Sequence, residues 1–244
     1  MGLSIIILAA GQGTRMRSTI PKVLHPIAGK PMLAHVLETV NQLKSDRTVV
    51  VYGHGGEQVK QALADYPVDW ILQAEQKGTA HAVSQAMPQI EGDGVVIIVY
   101  GDVPLISVES LQRLINAGRQ KQLALLAAHL HNPKGYGRII RNDRGKVIRI
   151  VEEKDATESE RNIKEINTGF IAAPAGLLRD WLQRIDNHNT QGEYYLTDAV
   201  ALAVQDNVPI FPVSAQCIEE ISGINDRKQL AEVERYYQLQ QAAR

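Results

Sequence analysis

LAAGQGTRMRSTIPK, residues 8 to 22, follows the apolar run Leu3-Ser4-Ile5-Ile6-Ile7 and decides how the chain is read. A β-branched run bounded by glycine predicts a buried strand that breaks into a loop. Gly11 and Gly13 let the backbone turn sharply and come close to a ligand. Amide groups in such a loop can face anionic oxygens with no side chain in the way. Arg15 and Lys22 add two cations beside those donors, an arrangement suited to a polyphosphate whose charge shifts during reaction.

Two other glycine loops have mechanical requirements that this chain fails. A dinucleotide fingerprint wants a third glycine where Met16 stands and an acidic residue ending the second strand, where the chain reads Val51-Tyr52-Gly53. A Walker loop wants Gly-Lys-Ser/Thr, but Gly29-Lys30 and Gly145-Lys146 are followed by Pro31 and Val147.

Beyond the loop, strand and helix patterns alternate. Residues 31 to 44 carry apolar side chains at helical spacing, with Pro31 placed in the first turn. Strands are predicted at 48–52, 69–73 and 94–100, and helices at 57–64 and 79–87. The continuous apolar run GVVIIVY, residues 94 to 100, reads as a central strand covered on both faces. Alternation of this kind predicts an α/β fold, a mostly parallel sheet flanked by helices with ligands at the carboxyl ends of the strands. Asp102 stands at such an end, and Ser107 is placed to cap the next helix. From about 123 to 173 the pattern changes to strands with turn chemistry, Asn142-Asp143-Arg144-Gly145 among them, and reads as a sheet extension. Helices at 176–185 and 197–204, a strand at 208–213 and a last helix from Asn225-Asp226 to Ala243 complete the expectation.

The loop signature, G-x-G-T-x-M followed by Pro21-Lys22, resembles that of the sugar nucleotidyltransferases. Further stretches carry the likeness along nearly the whole chain in order: YGHGGEQVKQAL (52 to 63), LQAEQKGTAHA (72 to 82), YGDVPLIS (100 to 107), GYGRI (135 to 139), IVEEKDA (150 to 156) and EINTGF (165 to 170). Together they are similar to the uridylyltransferase domain of the bacterial bifunctional N-acetylglucosamine-1-phosphate uridylyltransferase/glucosamine-1-phosphate acetyltransferase.

This resemblance implies a Rossmann-like nucleotidyltransferase domain over residues 1–224. It also implies a β-rich sugar-binding portion at about 123–173 and a helix at 225–244. UTP and N-acetylglucosamine 1-phosphate are the implied substrates, with UDP-N-acetylglucosamine and pyrophosphate as products. Arg15 and Lys22 are then the catalytic cations, and Asp102 with Asn225 the ligands of Mg²⁺. Base recognition falls to Leu8, Ala9, Ala10 and Gly11 with Gln73, Gly78 and Thr79. The sugar falls to Tyr100, Gly101, Gly137, Glu152 and Asn167, with Asn225 reaching the phosphates. Two other readings use the same residues: transfer to another sugar 1-phosphate or from another base, and a catalytically silent nucleotide-sugar-binding module.

Composition narrows the rest. In 244 residues, 26 Lys and Arg nearly balance 27 Asp and Glu, which leaves no bulk positive field for coating a nucleic acid. The first apolar run has no Lys or Arg before it and is too short for a bilayer. Ile6 stands where a Met1-Gly2 myristoylation signal wants Ser or Thr. A single cysteine, Cys217, cannot form an internal disulfide. The expectation is a soluble cytoplasmic protein. His129 and His131 would share one face of a strand but lack a third ligand at useful spacing, so no histidine metal site is expected among the seven histidines. No hexapeptide periodicity appears, so acetyltransferase activity is not expected of this chain, and the trimer that the resemblance implies for the full-length family depends on a repeat domain not seen in this sequence.

Overall fold

A computed structural model describes residues 2–53 and 55–242. Met1, His54 and Ala243, on which readings of the sequence fell, lie outside the described residues. In chain order the first half holds β1 (Leu3–Ala9), the short ladder β2 (Pro26–Ile27) and β3 (Lys30–Pro31), and α1 (Met32–Asn41). It continues with β4 (Arg47–Tyr52), α2 (Glu57–Ala62), β5 (Asp69–Leu72), α3 (Thr79–Ala86) and β6 (Val95–Tyr100). The second half holds α4 (Val108–Arg119), β7 (Leu123–His129), β8 (Gly137–Arg141), β9 (Val147–Val151), α5 (Glu158–Arg161) and β10 (Glu165–Pro174). It closes with α6 (Ala175–Arg184), α7 (Asp198–Gln205), β11 (Ile210–Ser214) and α8 (Arg227–Ala242).

One mixed sheet runs β11-β7-β10-β6-β1-β4-β5, with the hairpin β8–β9 joined to it through β10. The neighbours of β1, strands β6 and β4, are parallel to it, and β5 continues parallel beyond β4. Strand β10 is antiparallel to both β6 and β7, and β11 is parallel to β7. The alternation in β1 explains its unbroken apolar sequence. Ile5 and Ile7 enter the core packed by α1 and α4, whereas Ile6 and Leu8 enter the opposite core packed by α3, α6 and α7.

The expected α/β architecture is present, with differences that have local causes. Strands β7 and β10 lie inside the main sheet, because Leu123 to Ala128 are buried along their whole length; the β8–β9 hairpin alone extends outward. The Asn142 to Gly145 turn joins that hairpin, with Asn142 Oδ1 accepting from the amides of Arg144 and Lys146, both at 3.0 Å. Between β9 and β10 the chain makes the short helix α5, started by a capping box between Thr157 and Glu160. Pro31 precedes α1 instead of sitting in its first turn. Ser107 Oγ accepts from the Ser110 amide at 3.1 Å and caps α4 as expected. At α8 the cap is Asp226, whose carboxylate accepts from the Gln229 amide at 2.9 Å, which leaves the Asn225 side chain uncommitted to the helix. No helix among the described residues is long and apolar enough to cross a membrane.

Ile97, in the middle of β6, is fully buried in the α1–α4 core. Truncation to alanine removes three carbons from a site with no room to relax, so Ile97→Ala is expected to cost about 2–5 kcal/mol. Urea unfolding monitored by circular dichroism reads this as a lower midpoint at unchanged slope.

Candidate active site

Four parallel strands, β6, β1, β4 and β5, end side by side, and the segments leaving those ends enclose one cleft of about 270 Å³. Leu8, Ala9, Ala10 and Gly11 come from the end of β1, Gln73 from the end of β5, and Tyr100 and Asp102 from the end of β6. Gly78 and Thr79 enter with the start of α3, and Lys22 from the single turn Lys22–Leu24. Gly101 lies against the same floor, its amide donating to the Leu8 carbonyl at 2.9 Å.

The glycine loop owes its path to two residues. Gly13 has φ of 61°, and a Cβ there would stand 2.6 Å from the Lys22 Cβ, so the loop can close on Lys22 only without a side chain. Met16, 1% exposed, anchors the following turn in the core. Held this way, the Lys22 ammonium bonds Asp102 Oδ2 and donates to Asn225 Oδ1 at 3.2 Å. The Ile224 amide donates to the Asp102 carbonyl at 2.9 Å, which ties the segment leading to α8 against the end of β6. Residues from positions 22, 102 and 225 therefore meet at the mouth of the cleft. Arg15 is placed differently. It lines a separate shallow groove with Thr14, Arg17, Asp226 and Lys228, next to the cleft mouth through the Asp226–Asn225 peptide.

One wall of the cleft is built from the 73–81 segment. Gly78 has φ of 110°, and a Cβ there would lie 2.5 Å from the Tyr194 carbonyl oxygen, a position that admits glycine alone. Thr79 begins α3 without capping it. Its hydroxyl oxygen accepts instead from the Leu196 amide at 3.0 Å, so its bonding capacity goes to the 186–197 loop. Gln73, 3% exposed, donates through its amide nitrogen to the Gly78 carbonyl at 3.2 Å. Sequence reasoning missed Gln76, Val23, Ala82 and Glu193, which also line the cleft. Gln76 lay in a stretch already singled out, and its amide donates to the Ala10 carbonyl at 2.6 Å. Nothing in the sequence around Glu193 marks it, because only the folded 186–197 loop brings it over the cleft.

Gly137, Glu152 and Asn167 converge beside Tyr100, outside that first cleft. Asn167 pairs with Gly137 between β10 and β8, and a Cβ on Gly137 would stand 3.4 Å from both Glu152 carboxylate oxygens. Asn167 Oδ1 is buried and has no partner, an acceptor kept open at a cost unless a ligand donates to it. Burial pushes the Glu152 carboxyl above its ordinary range, against the Thr197 hydroxyl, which donates to it at 2.9 Å and favours the charged form. Burial likewise raises the Tyr100 phenol, helped by the charges of Glu152 and Asp102, so it stays a neutral hydrogen-bonding group.

Asp198 completes this acidic edge. Burial first, then the charges of Asp186, Glu152 and Asp155, lift its carboxyl to about 6. Its folded value lies above the unfolded one of about 3.9, so its contribution to stability is full below pH 4 and is lost as pH rises through 6. Asp198→Asn is therefore expected to raise Tm relative to the parent at pH 7 to 8, with the gain vanishing toward pH 4. Thermal scans of both proteins over pH 4 to 8 measure that difference.

Donors and acceptors at adjacent carboxyl ends of parallel strands, a glycine loop and a cation at its mouth define a nucleotide-handling α/β domain. Comparison with known proteins sharpens this. The profile of the MobA-like NTP transferase domain matches residues 5–233, and the chain belongs to that family. It is 52% identical over 244 residues to the bifunctional protein GlmU of Pseudomonas entomophila, covering all of this chain and 53% of that protein. It is 54% identical over 247 residues to the GlmU of Legionella pneumophila, covering 99% of this chain and 54% of that one. The chain thus spans about half the length of the curated relatives it matches. Among solved structures, UDP-glucose pyrophosphorylase complexed with UDP-glucose superposes with a TM-score of 0.79 at 16% identity, over 98% of this chain and 100% of that one. A nucleotidyl transferase from Methanothermobacter thermautotroptrophicus gives 0.67 at 20% identity, over 98% and 99%. These two likenesses show the fold.

Proposed function

We propose that this chain transfers the uridylyl group of UTP to N-acetylglucosamine 1-phosphate, releasing pyrophosphate and forming UDP-N-acetylglucosamine for bacterial envelope polymers. The observation that carries the reading is the meeting of Lys22, Asp102 and Asn225 at the mouth of a cleft floored by Leu8 to Gly11. The GlmU relatives support the substrate pair.

The reaction brings a phosphate oxygen of the sugar phosphate in line against the α-phosphorus while pyrophosphate departs. Two polyanions must be held together, so positioning and fixed positive charge do most of the work. Lys22 supplies an ammonium beside the loop amides, and Arg15, next door on the Thr14–Met16 turn, supplies a second cation for the departing phosphates. Gln73 with the backbone at Gly78 and Leu8 to Gly11 holds the base. Gly137, Glu152 and Asn167 hold the sugar hydroxyls and N-acetyl group, the open Asn167 oxygen taking a donor from the sugar.

Asp102 and Asn225 suit Mg²⁺. They offer one carboxylate and one amide oxygen that already converge on a single cation, the Lys22 ammonium, and hard oxygen donors few in number match an ion that keeps waters and borrows phosphate oxygens. When bound, the ion would supply Lewis-acid stabilisation of phosphate charge. In this reading residues 1–224 form the transferase unit, and the 225–244 helix contributes Asn225 to it. The enzyme works in the cytoplasm on soluble substrates.

Pyrophosphate release from UTP with N-acetylglucosamine 1-phosphate or glucose 1-phosphate, with and without a chelator, tests the proposal. Chelator-sensitive release that favours the acetylated sugar is the expected result; no release with either sugar overturns it. Lys22→Ala should lower turnover by roughly 10²- to 10³-fold with the fold intact by circular dichroism, the range seen when a preorganised donor is removed.

A further inference from the structure

A glutamine side chain presents an acceptor at one end and donors at the other, so by itself it serves uracil and cytosine equally well after a flip of its amide. In this cleft the flip is blocked. The Gln73 amide nitrogen points at two groups at once, the Gly78 carbonyl at 3.2 Å and His81 Nδ1 at 3.0 Å. A carbonyl can only accept, so the Gln73 atom facing it is the nitrogen. His81 must then offer a lone pair at Nδ1 and carry its proton on Nε2, and the Gln85 amide, whose nitrogen stands 3.4 Å from Nε2, must turn its oxygen there to accept that proton. The Gln73 oxygen has no partner among the described residues and is left to the cleft that Gln73 lines.

We propose that His81 is a positioning residue for base selection, which rests on the uridylyl-transfer reading above. Together with the Gly78 carbonyl it fixes the Gln73 amide with its oxygen toward the ligand. Uracil carries a hydrogen on N3 and can donate to that oxygen; cytosine carries a lone pair on N3 and meets it acceptor to acceptor. Selectivity of this kind comes from leaving the wrong base with an unpaired group in a closed site. His81 itself is half-buried on α3, one turn from the cleft floor, and does not need to touch the base.

The test compares UTP and CTP, both as equilibrium binding by calorimetry and as kcat/KM in the transfer assay, for the parent, His81→Leu and His81→Asn. Leucine removes the lone pair, and the preference for UTP over CTP is expected to fall by about tenfold or more, the factor attached to one freed buried hydrogen-bonding group. Asparagine can place its amide oxygen where Nδ1 stands and is expected to keep the preference. Should the leucine variant fail to fold, His81→Ala is read by the same ratio. An unchanged ratio in the leucine or alanine variant overturns the role of His81, as does equal loss in the asparagine variant. A parent that binds both nucleotides equally overturns the inference together with its uracil reading. A parent that prefers UTP but transfers nothing overturns the activity alone, and the binding ratios still decide on His81.

Discussion

One ammonium holds this site together. Lys22 reaches from the turn after the glycine loop to a carboxylate at the end of β6 and an amide oxygen just before α8. Its side chain is 9% exposed and that of Asp102 is 18% exposed, so neither charge is well served by water and each depends on the other. Removing either partner of such a pair leaves an uncompensated charge, which is why pairs of this kind fix geometry more firmly than they add stability. Around it the loop closes without a side chain at Gly13, and the 222–226 segment is drawn in by the bond from Ile224 to the Asp102 carbonyl.

The sheet supplies the rest of the order. Parallel strands place the ends of β6, β1, β4 and β5 in a row, and the reversed strand β10 carries Asn167 to the same end from the other direction. The result is a division of labour by charge. The glycine-loop end gathers Lys22 and, in the adjoining groove, Arg15, Arg17 and Lys228. The edge beside Tyr100 gathers Glu152, Asp155, Glu193 and Asp198, where burial and mutual repulsion hold Glu152 and Asp198 above their usual range. On the proposed function, a substrate with phosphates at one end and neutral hydroxyl donors at the other would fit that gradient in one orientation.

Much of this was legible in the sequence, and for identifiable reasons. β1, β4, β6 and most helices announce themselves through unbroken or periodic apolar runs, which is why their limits fall within a residue or two of those expected. The loop from Gly11 to Lys22 was legible because glycine and cation positions are set by local geometry. The place of β7 and β10 inside the main sheet was not, since pairing partners distant in sequence leave no local mark. The same holds for Glu193 and Thr197, which matter through a loop folded over the 76–80 segment. Arg15 could be singled out, yet its direction, into a groove beside the cleft, depends on the packing of α8. At the start of α8 two neighbouring residues, Asn225 and Asp226, were equally able to cap; only the structure separates the helix cap from the Lys22 partner.

The bond between Lys22 and Asn225 spans 203 positions. Synthesis proceeds from the amino end, so the glycine loop, β1 and Lys22 emerge long before the residue that completes their arrangement. Until the segment before α8 leaves the ribosome, the nascent chain can hold every strand of the sheet and the Lys22 ammonium but not its second oxygen partner. A site closed by so late a part stays incomplete after the last strand has been made, so the full arrangement around Lys22 arrives with the start of α8 and not during assembly of the sheet.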